Sequence, residues 1–173
     1  MRFDITDVPM PVRVGLVILV GLVLQLSLVG RAQLFGVAGD VMVVIAVAAG
    51  FHAGPDRGAV IGFATGLAVD LTLVTPLGLT ALVFAGVGYA SGLFAANLIR
   101  AVPLAVVALA AVAAPTAVVV WVLVGVVFGQ NHLLNAPLIP ILGVTSLVAA
   151  LTAPLVSPAL RWATADPMAR VRR

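Results

Sequence analysis

Long runs of apolar residues alternate with short polar breaks along almost the whole of this chain. Most runs are close to the ~20 residues that an α-helix needs to cross a bilayer. The breaks include the turn-rich sequence GPDRG and the more polar segment GQNHLLNAP. The pattern therefore predicts six membrane-spanning helices, over residues 12–29, 34–53, 59–74, 79–99, 102–128 and 138–160.

Composition favours a membrane bundle over a soluble domain. Of the 173 residues, 63% are hydrophobic and 9% are charged, and the mean hydropathy is +1.27. A soluble domain carries about 25% charged residues, which this chain lacks. The absence of cysteine excludes disulfides and thiolate metal sites. We therefore expect one all-α, polytopic membrane domain that covers residues 1–173.

The arginines favour one orientation across the membrane, because positive residues accumulate in cytoplasmic segments. With the N-terminus inside, Arg31 is the one arginine on the outer side. The others are on the inner side: Arg2, Arg13, Arg57, Arg100, Arg161, Arg170, Arg172 and Arg173. An even number of spans is consistent with this distribution, so both termini are expected in the cytoplasm.

Glycines recur at every fourth position of the predicted third span and are followed, at the next fourth position, by Asp70. These glycines are Gly58, Gly62 and Gly66. Residues four apart share one side of a helix, and small residues let helices approach closely in lipid. Gly88 and Gly92 form a second such pair. The stripe predicts close packing within the bundle or, alternatively, a groove for a partner helix.

Two carboxylates and an arginine are expected near the outer ends of their helices, as a polar cluster of Asp40, Asp70 and Arg31. A carboxylate within a membrane is costly and needs a partner. Asp40 is interpreted as an N-cap or as an anion at a helix N-terminus. Asp70 either bonds Thr72, Thr75 or Arg31 structurally or has a functional role. Three further residues are interpreted as interhelical hydrogen-bonding groups: Gln25, Tyr89 and Asn97.

The sequence lacks the motifs of zinc proteases, serine hydrolases and phosphate-binding loops. Intramembrane aspartyl proteases use G-x-G-D, whereas GVAGD has Val37 at the first glycine position. His52 and His132 are expected near opposite faces, where they cannot share a metal. The sequence thus predicts no enzyme activity, no cofactor and no metal site.

The chain resembles the MreD family of bacterial rod shape-determining membrane proteins over about residues 22–93, which include Gln25 in the first span and Asp40 at the start of the second. The matching motifs are the G-P-x-R-G turn at 54–58, the glycine stripe ending at Asp70, and T-P-L-G at 75–78. Proline often precedes the first aspartate in that family, and this chain has Gly39. The resemblance assigns helix packing or partner binding to Gly58, Gly62, Gly66, Asp70, Thr75, Pro76, Gly78, Gly88 and Gly92.

The resemblance implies a non-enzymatic subunit of the cell-elongation complex in the bacterial cytoplasmic membrane. Its partners would be an MreC-like protein, a RodA-type glycosyltransferase with its transpeptidase, and the actin-like MreB. The family is distantly similar to S components of energy-coupling-factor vitamin transporters, so a six-helix fold of that kind is expected. A substrate-binding S component is the alternative function. Its outer pocket would rest on Asp40, Asp70, Arg31 and the loop 130–136.

Overall fold

The computed structural model describes residues 8–29, 33–34, 37–72, 77–97, 104–130 and 137–165. Within these ranges, helices α1 to α6 follow one another in the predicted order, which confirms a helical bundle. A two-residue antiparallel pairing joins β1 Gln33–Leu34 to β2 Val37–Ala38. The helices are α1 Met10–Leu24 with a π-helical turn Gln25–Val29, α2 Val41–Ala53, α3 Pro55–Asp70, α4 Leu79–Asn97, α5 Leu104–Val127 and α6 Leu138–Thr164.

Four helices in the described part of the chain are long and apolar enough to cross a membrane. Their qualifying segments are Met10–Ser27, Leu79–Ala96, Leu104–Val127 and Leu138–Thr164. Helices α2 and α3 have 13 and 16 residues. At ~1.5 Å per residue, their lengths are about 20 and 24 Å, less than the ~30 Å of a hydrocarbon core. The four long helices identify a membrane protein.

The second predicted span, residues 34–53, is wrong in its first part. The β1–β2 pairing occupies its beginning, and α2 starts only at Val41. Every residue from Val41 to Phe51 is buried, and most of them completely. A short helix that is apolar on all sides is typical of a buried core element. Continuous hydrophobicity therefore concealed the change from hairpin to helix.

The third predicted span, residues 59–74, begins too late. Gly54 has a φ of 89°, which reverses the chain after α2, and Pro55 starts α3 at the first helical position. Proline is suited to that position because its missing N–H would have no helical partner there. Helices α4 and α5 agree closely with 79–99 and 102–128, and α6 continues past residue 160 to Thr164.

Helix α2 lies at the centre of the bundle. It packs most extensively against α3, α4 and α6, and it also contacts α5 and α1. The most extensive helix contact joins α3 to α4, which are consecutive in the chain. Helix α1 is peripheral, since Arg13, Val14 and Gly21 are its buried residues while most of its large apolar side chains are exposed. The centre of the fold thus depends on the α2–α3–α4 contacts.

The buried Arg13 joins the start of α1 to the end of α6. Its guanidinium donates to the carbonyl oxygens of Trp162, at 2.9 Å, and Ala165, at 3.1 Å. It also lies 5.6 Å from the centre of the Trp162 ring. Cations are favourable at helix C-termini, where carbonyl groups lack partners. We call this end of the bundle the Arg13 end and the opposite end, where α2 begins, the Asp40 end.

Candidate functional site

The glycine stripe of α3 lies directly against the backbone of α4. A Cβ atom added to Gly62 would collide with the carbonyl oxygen of Phe84, and one added to Gly66 would lie 2.5 Å from that of Thr80. Real Cβ atoms do not approach backbone atoms so closely. The contacts shift by four residues along each helix in opposite directions, as expected for an antiparallel pair. The predicted close packing is confirmed within the bundle.

The glycines of α4 complete the same contact from the other side. A Cβ on Gly88 would collide with the carbonyl oxygen of Gly58, and one on Gly92 would lie 2.5 Å from the Cα of Pro55. Gly50 of α2 joins them, because its Cβ would collide with the carbonyl oxygen of Gly88. Sequence reasoning missed Gly50. Gly50 continues the four-residue spacing of the stripe in sequence, but the turn at Gly54 places it on a different helix, α2.

Asp70 closes the stripe by capping the neighbouring helix. Its side chain is 1% exposed. One carboxylate oxygen accepts from the backbone N–H groups of Gly78, at 2.9 Å, and Ala81, at 3.2 Å. The other oxygen accepts from that of Thr80, at 3.2 Å. The first N–H groups of a helix have no intrahelical partner, and that end carries partial positive charge. The α4 N-terminus therefore compensates a carboxylate that would be unfavourable at the C-terminus of α3.

The expected bond between Thr72 and Asp70 is corrected by this geometry. The Thr72 hydroxyl donates to the carbonyl oxygen of Val69, at 2.8 Å. Asp70 accepts its three backbone hydrogen bonds from the α4 N-terminus. Gly78 has a φ of 98°, a left-handed conformation that favours glycine, and this turns its N–H toward Asp70. Arg31, Thr75 and Pro76 lie outside the described residues.

Asp40 is the N-cap of α2, as the sequence predicts. One of its carboxylate oxygens accepts from the N–H groups of Met42, at 2.8 Å, and Val43, at 3.4 Å. Gln25 ties the end of α1 to the same place. Its amide donates to the carbonyl oxygen of Gly39 and accepts from the N–H of Val41, both at 2.9 Å. The interhelical role of Gln25 is therefore confirmed.

Of the other two residues interpreted as interhelical bonding groups, only Tyr89 has a described side chain. The Tyr89 side chain is 44% exposed, on the face of α4 that points away from the bundle. No hydrogen bond is found for its hydroxyl among the described residues, so that prediction is not supported. The side chain of Asn97 lies outside what the structure describes.

A small, partly open pocket lies between the helices at the Asp40 end. Its volume is about 150 Å³, and its polar lining consists of Asp40, Thr80, Trp121 and Thr145. The indole N–H of Trp121 donates to the hydroxyl of Thr80 at 3.3 Å. Thr80 also donates its backbone N–H to Asp70. The two aspartates predicted to form a polar cluster are thus at the same end, and each caps a different helix; Thr80 bonds Asp70 and lines the same pocket as Asp40.

The chemistry that this arrangement supports is helix capping and close packing. Both oxygens of the Asp70 carboxylate already accept backbone hydrogen bonds. Within the described ranges, no three His, Cys, Asp or Glu side chains are grouped so that they could hold a metal ion. Most of residues 54–93, where the sequence resemblance is densest, therefore belong to one packed pair of helices, α3 and α4. No family model, no curated protein and no solved structure matches this chain.

Proposed function

We propose that this protein is a non-enzymatic membrane subunit of the bacterial cell-elongation complex, supporting cell shape and peptidoglycan synthesis. The observation that carries the proposal is the coincidence of the MreD-like block with one packed unit. The glycine stripe contacts α4, Asp70 caps it, and Gly78 provides the turn. A sequence motif whose residues serve one local structure is more informative than the same glycines scattered through a bundle.

In this proposal the α3–α4 pair is a rigid scaffold that presents its outward faces to partner proteins. Backbone-to-backbone packing along the glycines and three hydrogen bonds to Asp70 fix the two helices relative to each other. The outward faces carry exposed apolar side chains, including Val60, Phe63, Leu82 and Phe94. Membrane segments of an MreC-like protein, a RodA-type glycosyltransferase and its transpeptidase would contact such faces, and MreB would act from the cytoplasmic side.

The pocket at the Asp40 end favours this function over that of a vitamin-binding S component. Pockets for small molecules usually have volumes of about 300–1,000 Å³. The described residues line a partly open pocket of about 150 Å³ there, with one carboxylate and two threonine hydroxyls among its polar groups. That volume is small for a vitamin and its recognition groups.

We further propose that all six helices cross the cytoplasmic membrane, with both termini inside. The contact of Arg13 with the end of α6 supports an even number of crossings, because it places the start of the first helix beside the end of the last helix. The shorter α2 and α3 would then cross with help from their flanking segments or from local thinning of the bilayer.

Topology reporters fused after Arg173 and after Asn131 test this arrangement. We expect the Arg173 fusion to be active as a cytoplasmic reporter and the Asn131 fusion as an external one, since α6 separates the two positions. A fusion after Arg161, at the end of α6, is the control and should match Arg173. Reporters at Arg173 and Asn131 on the same side of the membrane would contradict the six-span topology.

Co-purification from native membranes tests the function itself. We expect the tagged protein to recover an MreC-like protein, and its deletion to convert rod-shaped cells into round ones. A tagged unrelated six-span protein from the same membrane serves as the control for non-specific recovery. Recovery of an ATP-hydrolysing transport module instead, with unchanged cell shape, would favour the S-component alternative.

A further inference from the structure

A surface groove runs between the first halves of α1 and α3 at the Arg13 end. Its volume is about 450 Å³. One wall extends from Met10 to Ile18 and the other from Asp56 to Ala64, so each is eight residue steps, or about 12 Å, long. One leaflet contributes about 15 Å to the hydrocarbon core. The groove therefore extends over most of one leaflet.

The dimensions of the groove suit a lipid chain better than a helix. A helix has a diameter of at least ~10 Å and a rise of ~1.5 Å, so it fills roughly 120 Å³ per residue. The groove would hold about four helical residues by that measure, although its walls are two turns long. An extended hydrocarbon chain is much narrower and can follow the full length. Apolar residues such as Ile18 and Ile61 line the path.

Two exposed side chains of opposite charge, Asp56 and Arg57, stand at the end of this apolar path. Both belong to the first turn of α3, at the end of the bundle where the membrane surface is expected. Arg57 has five N–H donors in a planar fork, which suits a phosphate in addition to contacts within the protein. The Asp56 carboxylate repels a headgroup with net negative charge and attracts one that carries a protonated amine.

We propose that the α1–α3 groove binds one phospholipid, with an acyl chain between the helices and the headgroup phosphate on Arg57. The complementary headgroup is phosphatidylethanolamine, whose protonated amine faces Asp56. This binding requires only that the protein lies in a bilayer, so it does not depend on the proposed role in cell elongation. The lipid would fill space beside the loosely packed α1 and hold it against α3.

Native mass spectrometry of the full-length protein tests this site. The protein is equilibrated in mixed micelles that contain equal amounts of palmitoyl-oleoyl phosphatidylethanolamine, phosphatidylglycerol and phosphatidylcholine. We expect the wild type to retain one phosphatidylethanolamine molecule preferentially. Arg57→Gln removes the phosphate contact, and Gly15→Leu fills the groove, where no atom lies within 4 Å of an added Cβ. Each variant should lower retention about tenfold.

Two control variants separate this groove from general lipid contact. Arg161→Gln removes an exposed arginine at the same end of the bundle, on α6. Ala159→Leu fills part of a second groove of about 310 Å³, between α1 and α6, whose lining has no charged side chain. Both should retain lipid as the wild type does. Equal retention by all five proteins, preference for phosphatidylglycerol, or a bound protein helix that Gly15→Leu displaces would each overturn the proposal.

Discussion

Replacing Gly62 with leucine is expected to destabilise the bundle by about 3 kcal/mol, the upper end of the usual cost of overpacking. The added Cβ alone would collide with the carbonyl oxygen of Phe84. A backbone oxygen cannot move aside as a flexible side chain can, so α3 and α4 must separate. The measurement is thermal unfolding of the purified protein in detergent, together with recovery of partner proteins from the membrane.

Gly86→Leu is the matched control for this substitution. It adds the same side chain to α4, on the outward face, where no atom lies within 4 Å of the new Cβ. We expect its unfolding temperature to equal that of the wild type. If Gly62→Leu and Gly86→Leu are equally stable, the close contact between α3 and α4 is wrong.

Replacing Asp70 with leucine is expected to cost about 3 kcal/mol, because it leaves three backbone N–H groups without their acceptor. Those groups belong to Gly78, Thr80 and Ala81. Asp70→Asn should cost about 1 kcal/mol, since an amide has one acceptor oxygen where the carboxylate uses two. Unfolding in detergent measures both variants, and inserted protein is quantified in membranes.

Asp40 offers the matched control for the aspartate-to-asparagine change. It uses a single oxygen for both of its N–H contacts. Asparagine is as good an N-cap as aspartate, so Asp40→Asn should be close to neutral. A loss of function at Asp70→Asn as complete as at Asp70→Leu, with normal stability, would show that the charge itself has a chemical role and would contradict helix capping as its purpose.

The helix order and the close α3–α4 contact could be predicted from the sequence for a physical reason. Hydropathy identifies apolar segments directly, and glycines four residues apart fall on one side of any helix. In lipid such a side has little function other than close packing. The spacing of Gly58, Gly62 and Gly66 was therefore enough to predict that a neighbouring helix packs closely against them. The start of α3 was also available in the sequence, in the combination of Gly54 with Pro55.

Features that depend on the position of another element could not be predicted in the same way. Asp70 bonds to the beginning of α4, and its partners follow from where that helix starts and how closely it approaches. Hydropathy could not separate the β1–β2 pairing from α2, because Leu34, Val37 and Ala38 are apolar like the helix that follows. The burial of α2 on all sides depends on five neighbouring helices. These contacts are set by tertiary packing and leave little trace in local sequence.

The contact of Arg13 with α6 also constrains the order of assembly during synthesis. The two partners are separated by 149 residues in the chain, so the guanidinium has no carbonyl acceptors on α6 until nearly the whole protein has been made. Until then, the guanidinium needs other hydrogen-bond acceptors, such as water. This contact between the two ends of the bundle is therefore among the last to form, and a chain that ends before α6 holds its first helix only through the contacts with α2 and α3, including the bonds of Gln25.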